Sequence, residues 1–473
     1  MDSINSKNSK TLINLLRGWP SPHLLPAALL KKAADRALTD PSIFIPALQY
    51  APDPGYQPLR EELATWLGRA YTTPPSSYSQ AEEICITGGA SQSIACVLQS
   101  FTDPVYTRAV WAVTPCYFLA FPIFEDAGFA GRLRAVPEDD EGVDLAFLER
   151  GLRSVDEAAA GVDGPTYKTP GPHRKLYRHI IYIVPTCANP SGKTTSLSHR
   201  RALVHLARRH NALIISDDVY DFLQWPILPS PPTTGTPPSA LPSPSPTPLL
   251  PRLSDIDMAL GPSAHNPPGK AFSHAISNGS FSKLAGPGMR TGWVHATPDF
   301  AYGLSQTGSS RSGGAPSQIA AAMLHALLAS GDLDTHLATA VRPALQARHA
   351  AALAAVKSEL AGMGVSVRES SEDGKGQFGG YFLWLTLPGG LQAKEVAEHA
   401  RREENLIVAA GEGFEVPGDE GSVRCGGNVR VCFSWEEVED VVEGIRRLGR
   451  VLRRVQAGVG GEMGDGVGSG GFK

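Results

Sequence analysis

The sequence predicts an α/β protein: a large domain on a mainly parallel sheet, joined to a smaller α+β domain. Three observations carry this. Between about Tyr56 and Ala296, short apolar runs alternate with amphipathic helical patterns, as strands linked by crossover helices require. The 473 residues exceed what one small core organises. Beyond Ala296 the pattern changes to a long Ala-rich helix (Gly331–Leu360), the strands "VSVRE" and "YFLWLTL", then helix, strand and a final helix near Glu436–Val455.

Taken in order, the strand candidates of the first region are Glu83–Thr87, Ala109–Val113, Leu133–Pro137, "HIIYIV" from His179, Ala212–Ser216, Ala275–Ser280 and Gly292–Ala296. Helix patterns at Ser91–Phe101 and Ser198–His210 lie between them. We expect an N-terminal arm and part of the small domain in 1–49, the large domain in 50–300, and the linking helix with the small domain in 301–456. Fourteen prolines between Pro226 and Pro268 predict a solvated, disordered insertion with no helix or central strand. The Gly-rich stretch 457–473 is expected to be a disordered tail.

Composition excludes several classes. Charged residues make up 19% and the net charge is −4, with no basic block suited to nucleic acid. No apolar run approaches the ~18 residues of a membrane span, and the N-terminus has no signal-peptide core. Six scattered cysteines without a CxxC pair read as reduced thiols of a cytoplasmic protein, not a zinc or disulfide framework. The thirteen histidines form no HxH or HExxH cluster, so no metal site is expected.

The stretch "HIIYIVPTCANPSGKTT" ends in Gly-Lys-Thr, yet it is no P-loop. Cys187 stands where the pattern needs glycine, and Pro190 has no N–H to aim at a phosphate. More informative is "SNGSFSKLAGPGMRTGWV" (Ser277–Val294). Small residues and glycines around Lys283 leave room for a flat ligand, and Ser280, Ser282 and Arg290 could hold a phosphate.

This stretch resembles the cofactor-lysine signature of class I/II aminotransferases, fold type I enzymes that use pyridoxal 5'-phosphate (PLP). Further matches follow in family order: "YAPDPGYQPLRE" (Tyr50–Glu61), "ITGGASQSI" (Ile86–Ile94), "TPCYF" (Thr114–Phe118), "PTCANPSG" (Pro185–Gly192), "SDDVYDFL" (Ser216–Leu223) and "NVRVCFS" (Asn428–Ser434). The resemblance spans most of residues 14 to 455.

The resemblance implies a role for each matched residue. Lys283 would form a Schiff base with the PLP aldehyde and move the proton. Asp217 would pair with the ring nitrogen, with Asp218 as the rival that the Asp-x-x-Tyr spacing disfavours. Tyr220 and Asn189 would hydrogen-bond the ring hydroxyl oxygen, and Tyr117 would stack on the ring. Gly89, Ala90 and Ser91 would present a helix N-terminus to the phosphate, with Ser280 and Arg290; Ser282 is the alternative hydroxyl. Arg430 would hold the substrate carboxylate, beside Gly18 and Asn189, and Lys193 would be a solvent-exposed bystander.

Tyr50 resembles a tyrosine that crosses to a neighbouring subunit's phosphate, which implies a homodimer. The implied reaction moves an amino group between an α-amino acid and a 2-oxo acid. Two alternatives use the same fold: a PLP-dependent lyase, decarboxylase or synthase, and a ligand-sensing domain of the kind fused to DNA-binding modules. Against the second, only about a dozen residues precede the first matching motif. Trp19 follows Gly18 where the family often has a small or polar residue. No second substrate arginine is evident, so a neutral or long side chain is expected over aspartate.

Overall fold

The computed structural model describes residues 10–71, 79–159, 164, 166–231, 249–311, 316–372 and 376–458. The predicted strands of the large region all form. Runs rich in Val, Ile and Ala, such as Ala109–Thr114, His179–Ile183 and Ala212–Asp217, are buried along their whole length, as strands covered by helices on both faces must be. They join one eight-stranded sheet in the order Ile84–Thr87, Gly292–His295, Ala275–Ser280, Ala212–Asp217, His179–Ile183, Ala109–Thr114, Leu133–Asp139, Gly142–Val143. From Ala275–Ser280 through Leu133–Asp139 the pairings are parallel. Gly292–His295 runs antiparallel to both of its neighbours.

The helix Ala90–Phe101 starts at Gly89 without a side-chain cap. By contrast, Ser196 caps Leu197–Arg209 by accepting from the His199 N–H. The Ala-rich pattern forms Asp332–His336 and Arg342–Glu359, joined by a wider turn at Leu337–Val341. Helix Arg342–Glu359 packs along the last helix, Val438–Gln456, which turns Val441, Ile445, Leu448 and Leu452 inward. A four-stranded antiparallel sheet, Ser366–Val367, Phe382–Thr386, Asn428–Cys432, Ala409–Ala410, completes this part. The N-terminal Ile13–Asn14 pairs with Leu406–Ile407, and the Leu15 carbonyl accepts from the Cys432 N–H at 2.7 Å. That seam holds residues 16–19 beside the strand Asn428–Cys432.

The proline-rich stretch needs correction. Residues 232–248 and the tail beyond Gly458 lie outside the described residues, but the rest of the stretch is built into the fold. Gln224–Pro226 pairs with Gln377–Gly379, and Leu253–Ala259 is a helix. Asp257 gives one oxygen to Arg208 at 2.7 Å and the other to the His274 N–H at 2.6 Å, at the start of the Ala275–Ser280 strand. Arg252, 2% exposed, pairs with Asp255 at 2.7 Å and lies over the Tyr71 ring. Proline density concealed a helix whose carboxylate satisfies the backbone of a central strand.

A tight packing point yields a stability prediction. A Cβ on Gly411 would stand 2.0 Å from the Cys425 carbonyl oxygen and 2.7 Å from that of Asn428. Both are backbone atoms and cannot rotate away. Gly411→Ala should therefore destabilise the protein by about 3 kcal/mol, read as a lower urea midpoint. An unchanged midpoint would show that the Gly411–Phe414 turn yields freely.

Candidate active site

The parallel strands end on one side of the sheet, where α/β folds place ligands. Ala212–Asp217 ends with Asp217, which is 6% exposed. Its Oδ2 accepts from the Tyr182 hydroxyl at 2.8 Å, and Oδ1 has no partner among the described residues. Burial pushes its pKa up to about 6, while Tyr182 and the nearby Lys283 charge act to lower it. Asp218, one residue beyond the strand end, has other partners. It accepts from Ser216 at 2.5 Å and feels the charges of Asp221 and Arg200. The geometry therefore sets Asp217 towards Lys283 and Asp218 away from it.

Lys283 closes the short turn that follows the strand Ala275–Ser280. Its Nζ donates to the Gly18 carbonyl at 2.7 Å and lies 5.1 Å from the centre of the Tyr381 ring. Burial lowers its pKa from 10.5 to about 8, which brings a neutral amine within reach of physiological pH. Gly18 is required for space: a Cβ there would come within 2.8 Å of the Phe382 ring.

Arg430 sits on the central strand of the small sheet and is 3% exposed. It donates to Asn189 Oδ1 and to the Leu16 carbonyl, each at 2.7 Å, while its Nε has no partner among the described residues. The guanidinium lies over Phe382 at 4.2 Å and Phe414 at 4.8 Å. Burial lowers its pKa to about 10, so it remains a cation at neutral pH, with donors free for a carboxylate. Tyr220 packs edge-on to Tyr381 and Phe382, and the Arg430 charge reaches it. Tyr117 feels both Asp217 and Arg430, and burial pushes its hydroxyl up to about 12.

At the other end of the site lies an anion cradle. Gly89 adopts φ 102°, which favours glycine, and a Cβ there would meet Arg290 Nη2 at 2.7 Å. The uncapped start of Ala90–Phe101, with Ala90 and Ser91, thus faces a permanent cation. Arg290 donates to the Gly88 carbonyl at 3.0 Å and the Pro287 carbonyl at 2.7 Å, with a longer contact of 3.5 Å to Ser282. Ser280 donates to the Ser282 hydroxyl at 2.9 Å and accepts from the Ser282 N–H. Both hydroxyls therefore belong to one turn.

Tyr50 is the predicted residue that this single chain leaves apart. It is 88% exposed and lines a surface hollow of about 530 Å³ with Asp53, Arg311 and Ser317. Lys193 is a correction: it is 9% exposed, donates to the Asp139 carbonyl and lies 3.7 Å from Glu138. It braces the loop after His179–Ile183 instead of pointing into solvent. Two residues escaped sequence reasoning. Tyr182 fixes Asp217, and its only signal is a hydroxyl in an otherwise apolar run. Asn278 donates to the Ala90 carbonyl at 3.2 Å, tying the cradle to the strand that leads to Lys283.

These residues fit PLP. The orphaned Asp217 oxygen suits a protonated ring nitrogen, the uncapped helix start and Arg290 suit a phosphate, and Lys283 suits an aldehyde.

The model of "Aminotransferase class I and II" matches residues 22–445. An uncharacterized protein of Saccharomyces cerevisiae is 34% identical, covering 93% of this chain and 97% of its own. The 2-aminoadipate transaminase of Thermus thermophilus is 27% identical, over 94% of this chain and 91% of its own. Among solved structures, the multiple substrate aminotransferase of Thermococcus profundus superposes with a TM-score of 0.71 at 25% identity, covering 95% of this chain and 93% of that one. The chain belongs to the class I and II aminotransferase family, a PLP-dependent enzyme that moves an amino group between an α-amino acid and a 2-oxo acid.

Proposed function

We propose that Lys283 is the amine that carries this transamination, supported above all by its depressed pKa beside the orphaned carboxylate of Asp217. When bound, PLP supplies an aldehyde and an electron-accepting ring that stabilises negative charge at the substrate Cα. Asp217 holds the proton on the ring nitrogen, and Tyr182 holds Asp217. Ala90 and Ser91 N–H groups, with Gly89, Ser280 and Arg290, hold the phosphate. Asn189 and Tyr220 donate to the ring hydroxyl oxygen, and Tyr117 covers one ring face. Arg430 grips the substrate carboxylate with Asn189 and the Gly18 backbone beside it, which fixes Cα within reach of Lys283. Lys283, freed as an amine beside that Cα, would serve as the base that takes its proton and as the acid that gives it back.

Spectroscopy of the purified enzyme tests the reading. One amino acid without an oxo acid should remove the absorbance of the lysine-bound cofactor, and a 2-oxo acid should restore it. Continuous release of ammonia or carbon dioxide without that cycle would instead assign a lyase or decarboxylase.

We read the enzyme as a homodimer, because Tyr50 is 88% exposed and poised to reach a second copy's phosphate, and its side chain has no hydrogen-bonding or ring partner among the described residues. We place it in the cytoplasm because six buried thiols stay unpaired. Mixing Lys283→Ala with Tyr50→Phe protein should then regain activity, since one site of each mixed dimer holds neither substitution. Sedimentation as a fully active monomer would sink the dimer.

A further inference from the structure

The segment Leu16–Trp19 lines the site with its backbone. The Leu16 carbonyl accepts from Arg430 and the Gly18 carbonyl from Lys283, each at 2.7 Å, and the Trp19 carbonyl accepts from Ser434 at 2.8 Å. Between these contacts stands Arg17. Its guanidinium carbon is 4.9 Å from the centre of the Trp19 ring and 4.8 Å from that of Trp435. The two indoles meet edge to face at 5.7 Å, so the cation is clamped by aromatic faces.

What the clamp leaves free is informative. Among the described residues, the Arg17 side chain makes no ion pair or hydrogen bond, and its polar contacts are made by its backbone N–H, which donates to Asn14. Glu436, whose carboxyl feels the Arg17 charge, accepts from the Asn14 N–H at 2.8 Å and lies outside ion-pair range of Arg17. Trp19 remains 52% exposed. A guanidinium has five donors, and among the described residues these meet no acceptor. Arginine is also the side chain suited to bidentate recognition of a carboxylate.

We propose that Arg17, held by Trp19 and Trp435, is the specificity determinant for the substrate side chain and selects α-amino acids whose side chain ends in a carboxylate. The inference rests on the transaminase reading above, in which Arg430 takes the α-carboxylate. The indoles serve the methylene groups, and the guanidinium serves the distal charge. This supplies the second substrate arginine that the sequence did not reveal, and of the neutral or long side chains expected there over aspartate it favours a long acidic one.

The test pairs glutamate, and its homologue one methylene longer, with glutamine, which has nearly the same shape as glutamate without the charge. The wild-type enzyme should favour the acids in kcat/KM. In Arg17→Gln, the glutamate-to-glutamine ratio should fall about tenfold or more, mainly through KM, and Arg17→Lys should restore part of it. A binding readout runs beside it: glutarate should raise the melting temperature of wild-type holoenzyme more than hexanoate does, and Arg17→Gln should remove that difference. A wild-type preference for aromatic or neutral side chains, or an unchanged ratio in a folded Arg17→Gln protein, would overturn the assignment. Absence of any transamination would instead strike the underlying reading, so the two failures are distinguishable.

Discussion

Lys283→Ala protein should be colourless at the wavelength of the lysine-bound cofactor and should lose turnover by about 10⁴-fold or more. On the proposed reading, the alanine removes both the amine that would meet the aldehyde and the base that would move the Cα proton, two roles assigned to one side chain. It also removes the donor to the Gly18 carbonyl, but that contact is partly buried and local, so circular dichroism should be unchanged. A small primary amine in the buffer should recover part of the turnover, because the proton transfer needs an amine more than it needs the chain. The depressed pKa adds a pH signature. Only neutral amine attacks, so cofactor capture by the apoenzyme should slow about tenfold per pH unit below roughly pH 8 and level off above it. A capture rate that is flat from about pH 6 to pH 8 would remove the amine from the rate-limiting step.

Legibility followed locality. The strands were visible because buried parallel strands are nearly continuous apolar runs, and His179–Ile183 and Ala212–Asp217 have no polar face to confuse the pattern. Asp217 and Lys283 stood out because each closes a strand end in a short, ordered motif. Three features resisted for different reasons. Arg252–Ala259 was hidden by the prolines around it; what organises it is Asp257 satisfying N–H groups of a strand distant in sequence. Lys193 looked exposed because its acceptors, the Asp139 carbonyl and Glu138, lie on another strand. The Arg17 clamp joins Trp19 to Trp435, more than 400 residues away, and no local spacing predicts such a contact. The ion-pairing state of a side chain is a property of the assembled site.

Asp217→Asn should move stability and activity in opposite directions. Asp217 is buried, with one oxygen held by Tyr182 and the other without a partner among the described residues. In the apoenzyme its ionised form is disfavoured, which is why its pKa rises from 3.8 to about 6. With the folded pKa above the unfolded one, folding is penalised by the full amount above about pH 6, and the penalty vanishes as pH falls to about 4. Asparagine keeps an acceptor for Tyr182 and has no charge to desolvate. The variant apoenzyme should therefore be more stable than wild type at pH 7.5, by up to about 3 kcal/mol, with the two converging near pH 4. Turnover should fall by about 10² to 10⁴-fold, because a neutral amide does not hold a proton on the ring nitrogen and the ring then accepts electrons poorly. Urea melts of both apoenzymes at pH 4.5 and 7.5, beside steady-state rates, measure both signs. Lower stability of the variant at pH 7.5 would mean that Asp217 serves the fold; an undiminished rate would mean that the ring nitrogen finds its proton elsewhere.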